Sequence, residues 1–151
     1  MAKNCEVCKL LNDNSSTILV TDYWRIALAD DQGYLGRTFV TLKKHKQHLS
    51  DLNSSEWQDF IQIVNRIESS YKKSFGAINF NWVCLMNNAY QEPVAEPHVH
   101  WHVRPRYNKP VILYSDKFID PNFGHHYDRN QKNIVNVKTF NQILSTIKAN
   151  F

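Results

Sequence analysis

The stretch Pro97-His98-Val99-His100-Trp101-His102-Val103-Arg104-Pro105-Arg106 constrains this chain more than any other. Three histidines alternate with Val99, Trp101 and Val103. Residues two apart on a β-strand share a face. The pattern therefore predicts a strand of about seven residues, bracketed by Pro97 and Pro105. One face would carry three imidazoles and the other three core-forming side chains. Only seven histidines occur in 151 residues, so chance explains the alternation poorly. Three imidazoles on one face can converge on zinc. Alternatively, one can act as a nucleophile while its neighbours orient it. Arg104 and Arg106, with Lys43 and Lys44 elsewhere, suit an anionic substrate such as a phosphate.

A chain of this length has the size of one domain. Its composition, 42% hydrophobic and 13% aromatic, supports a sizeable core and excludes a disordered chain. A net charge of +4 fits a phosphorylated small molecule and does not require nucleic acid. No apolar run approaches the roughly 18–20 residues of a membrane span. Met1-Ala2-Lys3-Asn4-Cys5 has no apolar signal core. Three cysteines, two of them in Cys5-Glu6-Val7-Cys8, do not form a secreted disulfide framework, so the expected compartment is the cytosol.

Cys5-x-x-Cys8 has three readings: half a zinc site, a redox pair, or two ordinary thiols. The redox reading wants a preceding strand, and only four residues precede Cys5. The metal reading needs two more ligands from elsewhere. Thr17–Thr21 and Trp24–Leu28 read as a β-hairpin, Asp30-Asp31-Gln32-Gly33 as a turn, and Arg37–Leu42 as the next strand. Asn53-Ser54-Ser55-Glu56 resembles a capping box. Trp57, Phe60, Ile61, Val64, Ile67, Tyr71 and Phe75 then follow at helical spacing, which predicts a core-facing helix of about twenty residues ending near Gly76. Ala77–Met86 reads as a strand holding Cys84 as a buried thiol. Residues 108–135 read as irregular, with a short strand at Val111–Tyr114 and His125-His126 in a loop. Asn136 caps a last helix carrying Phe140, Ile143, Leu144, Ile147 and Phe151.

His98-Val99-His100-Trp101-His102-Val103-Arg104 resembles the signature of the histidine triad (HIT) family, with Arg104 standing where the signature is usually apolar. Pro105-Arg106 resembles the Pro-Arg that often follows, and the wider pattern covers about residues 5 to 107. The resemblance implies an α+β, HIT-like fold: a five-stranded, mainly antiparallel sheet with one long helix and a C-terminal helix. A single domain would span residues 1–151, with a core at 5–107 and an extension at 108–151, and would pair as a homodimer. In the zinc-bearing branch the ligands are a Cys-x-x-Cys, one His after the third strand and the first triad His. By position these are Cys5, Cys8, His45 and His98, with His48 in reserve for His45. Such a closed set holds structural zinc.

The resemblance also makes His100 the nucleophile and His102 its partner for a phosphate oxygen or a proton. Asp30 or Asp31 would meet the ribose hydroxyls, and the Asn87 amide a phosphate oxygen. Arg104 and Arg106 would be further phosphate contacts. Arg37 stands where a His is frequent, and Pro93-Val94-Ala95 where a Gly-Gln-Ser-like trio is common. The implied function is hydrolysis or transfer of a nucleoside monophosphate, through a nucleotidyl-histidine, from a dinucleoside polyphosphate or nucleoside phosphoramidate. The alternatives are a hydrolase whose metal is bound by all three triad histidines, and a non-enzymatic nucleotide-binding or interaction module.

Overall fold

A computed structural model describes residues 5–151. The first four residues of the expected domain, and with them the reading of Met1–Asn4 as lacking a signal core, lie outside the described residues. Strands β1 (Thr17–Val20), β2 (Trp24–Leu28), β3 (Thr38–Leu42), β4 (Asn79–Val83) and β5 (His100–Arg106) form one sheet in the order β1-β2-β3-β5-β4. Every neighbouring pair is antiparallel. A short helix, α1 (Glu6–Leu10), leads in; α2 (Ser54–Phe75) and α3 (Val137–Ala149) are the long and C-terminal helices. A hairpin of β6 (Val111–Leu113) and β7 (Asp116–Phe118) lies between β5 and α3. This is the α+β architecture that the resemblance implies. Among the described residues no helix is long and apolar enough to cross a membrane.

The period-2 pattern gives the sheet two faces. Trp24, Ile26, Val40, Leu42 and Val103 are completely buried on the helix-covered face. Phe60 of α2 sits among their neighbours, its ring centroid 5.1 Å from both Trp24 and Trp101. The opposite face carries Arg25, Phe39, Thr41, His100 and His102. Helix α2 starts as its sequence dictates: Glu56 N–H donates to Asn53 Oδ1 at 2.9 Å, and Asn53 N–H donates to Glu56 Oε2 at 2.8 Å. It ends at Gly76, whose φ of 72° is the left-handed cap that favours glycine. Gly36 has a similar need: φ is +77°, and a Cβ there would come within 2.5 Å of Tyr71. Asn136 caps α3 by accepting from the Thr139 N–H.

Four expectations need correction. The triad strand begins at His100, two residues late, and runs through Pro105 to Arg106. Proline is tolerated there because the β3 ladder reaches no further than Val103, leaving no β3 partner unpaired. The strand expected over Ala77–Met86 pairs only at Asn79–Val83, at the sheet edge, and Cys84 just beyond it is half-buried rather than buried. On α2 the turning helix exposes Ile61 and buries Ile63 instead. β7 was not anticipated, since Asp116-Lys117-Phe118 is too short to show alternation.

Candidate functional site

Two clusters flank the start of β5. The first joins Cys5, at the entry to α1, with Cys8 in its first turn, His45 after β3, and His98 just before β5. Their ligand atoms all lie within 4.8 Å of one another. His98 Nε2–H donates to the Leu42 carbonyl at 2.6 Å, which leaves Nδ1 as a lone pair. That Nδ1 faces Cys5 Sγ at 3.5 Å and Cys8 Sγ at 3.3 Å, and His45 Nδ1 lies 3.5 Å from Cys8 Sγ. Ordinary Zn–S and Zn–N bonds in a tetrahedron give an S···N edge of roughly 3.5 Å. The donor set, spacing and tautomer therefore fit a closed four-coordinate ion. Burial, with His45 and His100 nearby, holds the His98 imidazole neutral by lowering its pKa to about 4. A neutral ring is the form that binds a metal. His48 is exposed, at the start of the short turn Leu49–Asp51, and stands outside the cluster.

The second cluster is His100 with His102. His100 Nδ1–H donates to the His98 carbonyl at 2.7 Å, so its Nε2 carries the lone pair. His102 Nε2 lies 3.2 Å away, a contact that closes when His102 presents an N–H. Burial lowers the His100 pKa and, with the charges of Arg104 and Arg37 nearby, takes that of His102 down to about 3. Both rings are therefore neutral near pH 7. Phe39 packs edge-on against His102, centroids 5.0 Å apart. The three triad histidines thus divide: His98 turns to the thiols, while His100 and His102 turn to each other.

His100 forms part of the wall of a cavity of about 290 Å³ over the uncovered face of β2 and β3. Val7, Leu10 and Leu11, Ala27 and Phe39 line it with apolar surface, and Asp30 and Arg25 with charge. Asp30 is exposed on that wall. Asp31 is committed elsewhere: it accepts from Arg37 Nη1 at 2.5 Å and from the backbone N–H groups of Gly33 and Asn133. Burial would raise the Asp31 pKa, but those donors outweigh it and hold the pKa below the ordinary value. Asn87 is exposed at the start of a short turn, Asn87–Gln91, and is not on the cavity wall. Arg104 is buried beside Tyr127, and Arg106 is buried in an ion pair with Asp120. His125 and His126 are exposed in a loop, as expected.

Sequence reasoning missed the α1 side of the cavity, and Asp120 and Tyr127. Phe39 and Thr41 share the face of His100 by strand parity, a legible signal. Asp120 and Tyr127 reach β5 from a segment without periodicity, and nothing local marks them.

The fold and the triad strand define a class, and the comparisons give the family. A family model for the HIT domain matches residues 11–109, more than half of the chain. The chain belongs to the HIT domain family. No curated protein matches it. Among solved structures it is similar to a hypothetical histidine triad nucleotide-binding protein from Sulfolobus tokodaii, with 14% identity, coverage of 97% of this chain and 91% of that one, and a TM-score of 0.68. A Zn-bound histidine triad family protein from Mycobacterium smegmatis shares 19% identity over 97% and 94% of the chains, at a TM-score of 0.59. A diadenosine triphosphate hydrolase from Plasmodium falciparum, in complex with Cyclomarin A, shares 19% identity over 91% and 76%, at 0.61.

Proposed function

We propose that this chain is a nucleotide hydrolase or nucleotidyl transferase acting at an α-phosphate, with His100 as the nucleophile. The observation that carries the reading is the His100 ring. Its Nδ1–H is anchored on the His98 carbonyl, its Nε2 lone pair faces His102 Nε2, and the ring borders an apolar cavity with Asp30 on its wall. That cavity suits a nucleoside, with Asp30 offered to the ribose hydroxyls. The neutral Nε2 attacks the α-phosphorus as the bond to the leaving group breaks. The His102 N–H, no longer shared with His100 Nε2, donates a hydrogen bond to a non-bridging oxygen. Water then attacks the phosphorus and gives up a proton to solvent, the P–N bond breaks with its electron pair returning to Nε2, and the nucleoside monophosphate leaves with His100 neutral again. A dinucleoside polyphosphate or a nucleoside phosphoramidate would satisfy this sequence.

Cys5, Cys8, His45 and His98 would hold zinc, which contributes folding free energy and fixes the strand that carries His100. The Zn-bound relative supports that assignment. Ligand thiols need a reducing compartment, which favours the cytosol. The free edge of β4 offers a second copy a place to extend the sheet, as in the expected homodimer.

Trapping tests the chemistry. Wild-type protein mixed with diadenosine polyphosphate and quenched within one turnover should carry one adenylyl group on His100 by peptide mass spectrometry. His100→Ala should carry none and lose several orders of magnitude in rate. An adduct on another residue, or more than about a tenth of the wild-type rate in His100→Ala, contradicts the assignment.

A further inference from the structure

Arg104 and Arg106 stand two apart on β5 and share the face of His100 and His102. Their surroundings differ completely. Arg106 directs all its donors to acceptors: Asp120 through Nε and Nη2, Asn81 and the His125 carbonyl through Nη1, and the Asn122 carbonyl through Nη2. Arg104, 6% exposed, makes no hydrogen bond or ion pair with any described residue, and its Nη1 is sealed from solvent without a partner. Its guanidinium lies 4.1 Å from the centroid of the Tyr127 ring.

The charges around Arg104 have its own sign. Thr38 pairs with Val103, so the strand register carries Arg37 alongside Arg104. Arg37 gives Nη1 to Asp31, while its Nε is buried without a hydrogen bond. Burial lowers the Arg104 pKa, and Arg37 and Arg129 lower it further; only the two tyrosines Tyr127 and Tyr34 oppose them. No carboxylate acts on it. A buried guanidinium N–H without an acceptor is costly. Arg37 has Asp31 for one nitrogen, but each of the two guanidinium groups keeps a sealed nitrogen without an acceptor, and side by side next to His102 they describe a site that an anion completes.

We propose that Arg104, with Arg37, forms a subsite for a second phosphoryl group of the substrate, so that the chain prefers phosphoanhydrides with polyanionic leaving groups to phosphoramidates. The proposal rests on the nucleotidyl-histidine reading above. Arg104 is not on the wall of the cavity assigned to the nucleoside, and His102 stands between it and His100 along β5, so it is assigned to the leaving side. When the P–O bond breaks, the bridging oxygen keeps the electron pair and departs as a phosphate oxyanion. A guanidinium stabilises that charge and no proton need be supplied. A departing amine must instead take up a proton, and Arg104 gives it nothing.

The test compares kcat/KM on diadenosine tetraphosphate and on an adenosine phosphoramidate with a neutral amine leaving group. Arg104→Leu should lose roughly 10–100-fold on the first, the scale of a hydrogen bond to a charged group. It should stay within about 3-fold on the second. Arg104→Lys, which keeps the charge without the fork, should fall between wild type and Arg104→Leu. Equal losses on both substrates, no loss, or wild-type turnover of the phosphoramidate alone would overturn the proposal. The melting temperature of Arg104→Leu should equal or exceed that of wild type, since a buried charge without a partner is removed. A variant that fails to fold would assign Arg104 to the core and also overturn it. If wild type turns over neither substrate, the enzymatic reading fails, and calorimetry with inorganic tripolyphosphate decides the subsite alone. Binding at least about 10-fold weaker in Arg104→Leu sustains the site; equal binding, or none by wild type, removes it.

Discussion

Asp30 and Asp31 are adjacent acids with separate tasks. Asp30 is exposed on the cavity wall, while Asp31 ties the turn before β3 to Arg37 and to the backbone of Asn133. The sequence left them equivalent, because two acids in a turn carry no information about which one a distant segment will reach. The depressed Asp31 pKa has a sign that can be checked. A carboxylate with a lowered folded pKa contributes stability that is complete above its unfolded value of 3.8. That contribution fades as pH falls through the folded pKa. The melting-temperature deficit of Asp31→Asn should therefore be constant from about pH 7 to about pH 5 and shrink as the pH is taken below about 4. A pH-independent deficit, or unchanged stability with a raised KM, would return Asp31 to the ribose side.

At the scale of elements, β5 is held by three kinds of tie. β3 and β4 pair with it on either side, and α2 packs Phe60 against Trp101 beneath it. The third tie is the Arg106–Asp120 pair, whose side chains are each 2% exposed and which joins β5 to the segment after β7. Breaking a buried pair leaves an uncompensated charge and costs about 3–5 kcal/mol. Asp120→Ala should be destabilised by that amount in urea denaturation, with His100 chemistry reduced only as the folded fraction falls. A loss below about 1 kcal/mol would show that Arg106 finds other acceptors. The hairpin, both long helices and the triad strand were legible because period-2 and period-3.6 patterns and the Asn53 and Asn136 caps are local signals. The Asp120 tie was not, because it pairs residues fourteen apart across a segment without periodicity.

Across the whole molecule, the histidine spacing that identified the strand also separates its tasks. His98, preceding the ladder, rotates toward Cys5 and Cys8. His100 and His102, inside it, face the open side of the sheet. The Cys₂His₂ set was inferred from resemblance, and the chain does bring these four residues together. What resemblance could not supply is the cavity wall from α1 and the shell around Arg104, which long-range packing alone creates. The central claim is that one histidine of the triad braces the strand through metal while the next does the chemistry. Zinc content and single-turnover rate, measured on the same His102→Ala preparation, test it most directly. His102→Ala should hold about one zinc per chain, as in wild type, with the rate strongly reduced. Proportional loss of zinc and rate would make His102 a metal ligand and contradict the division of labour.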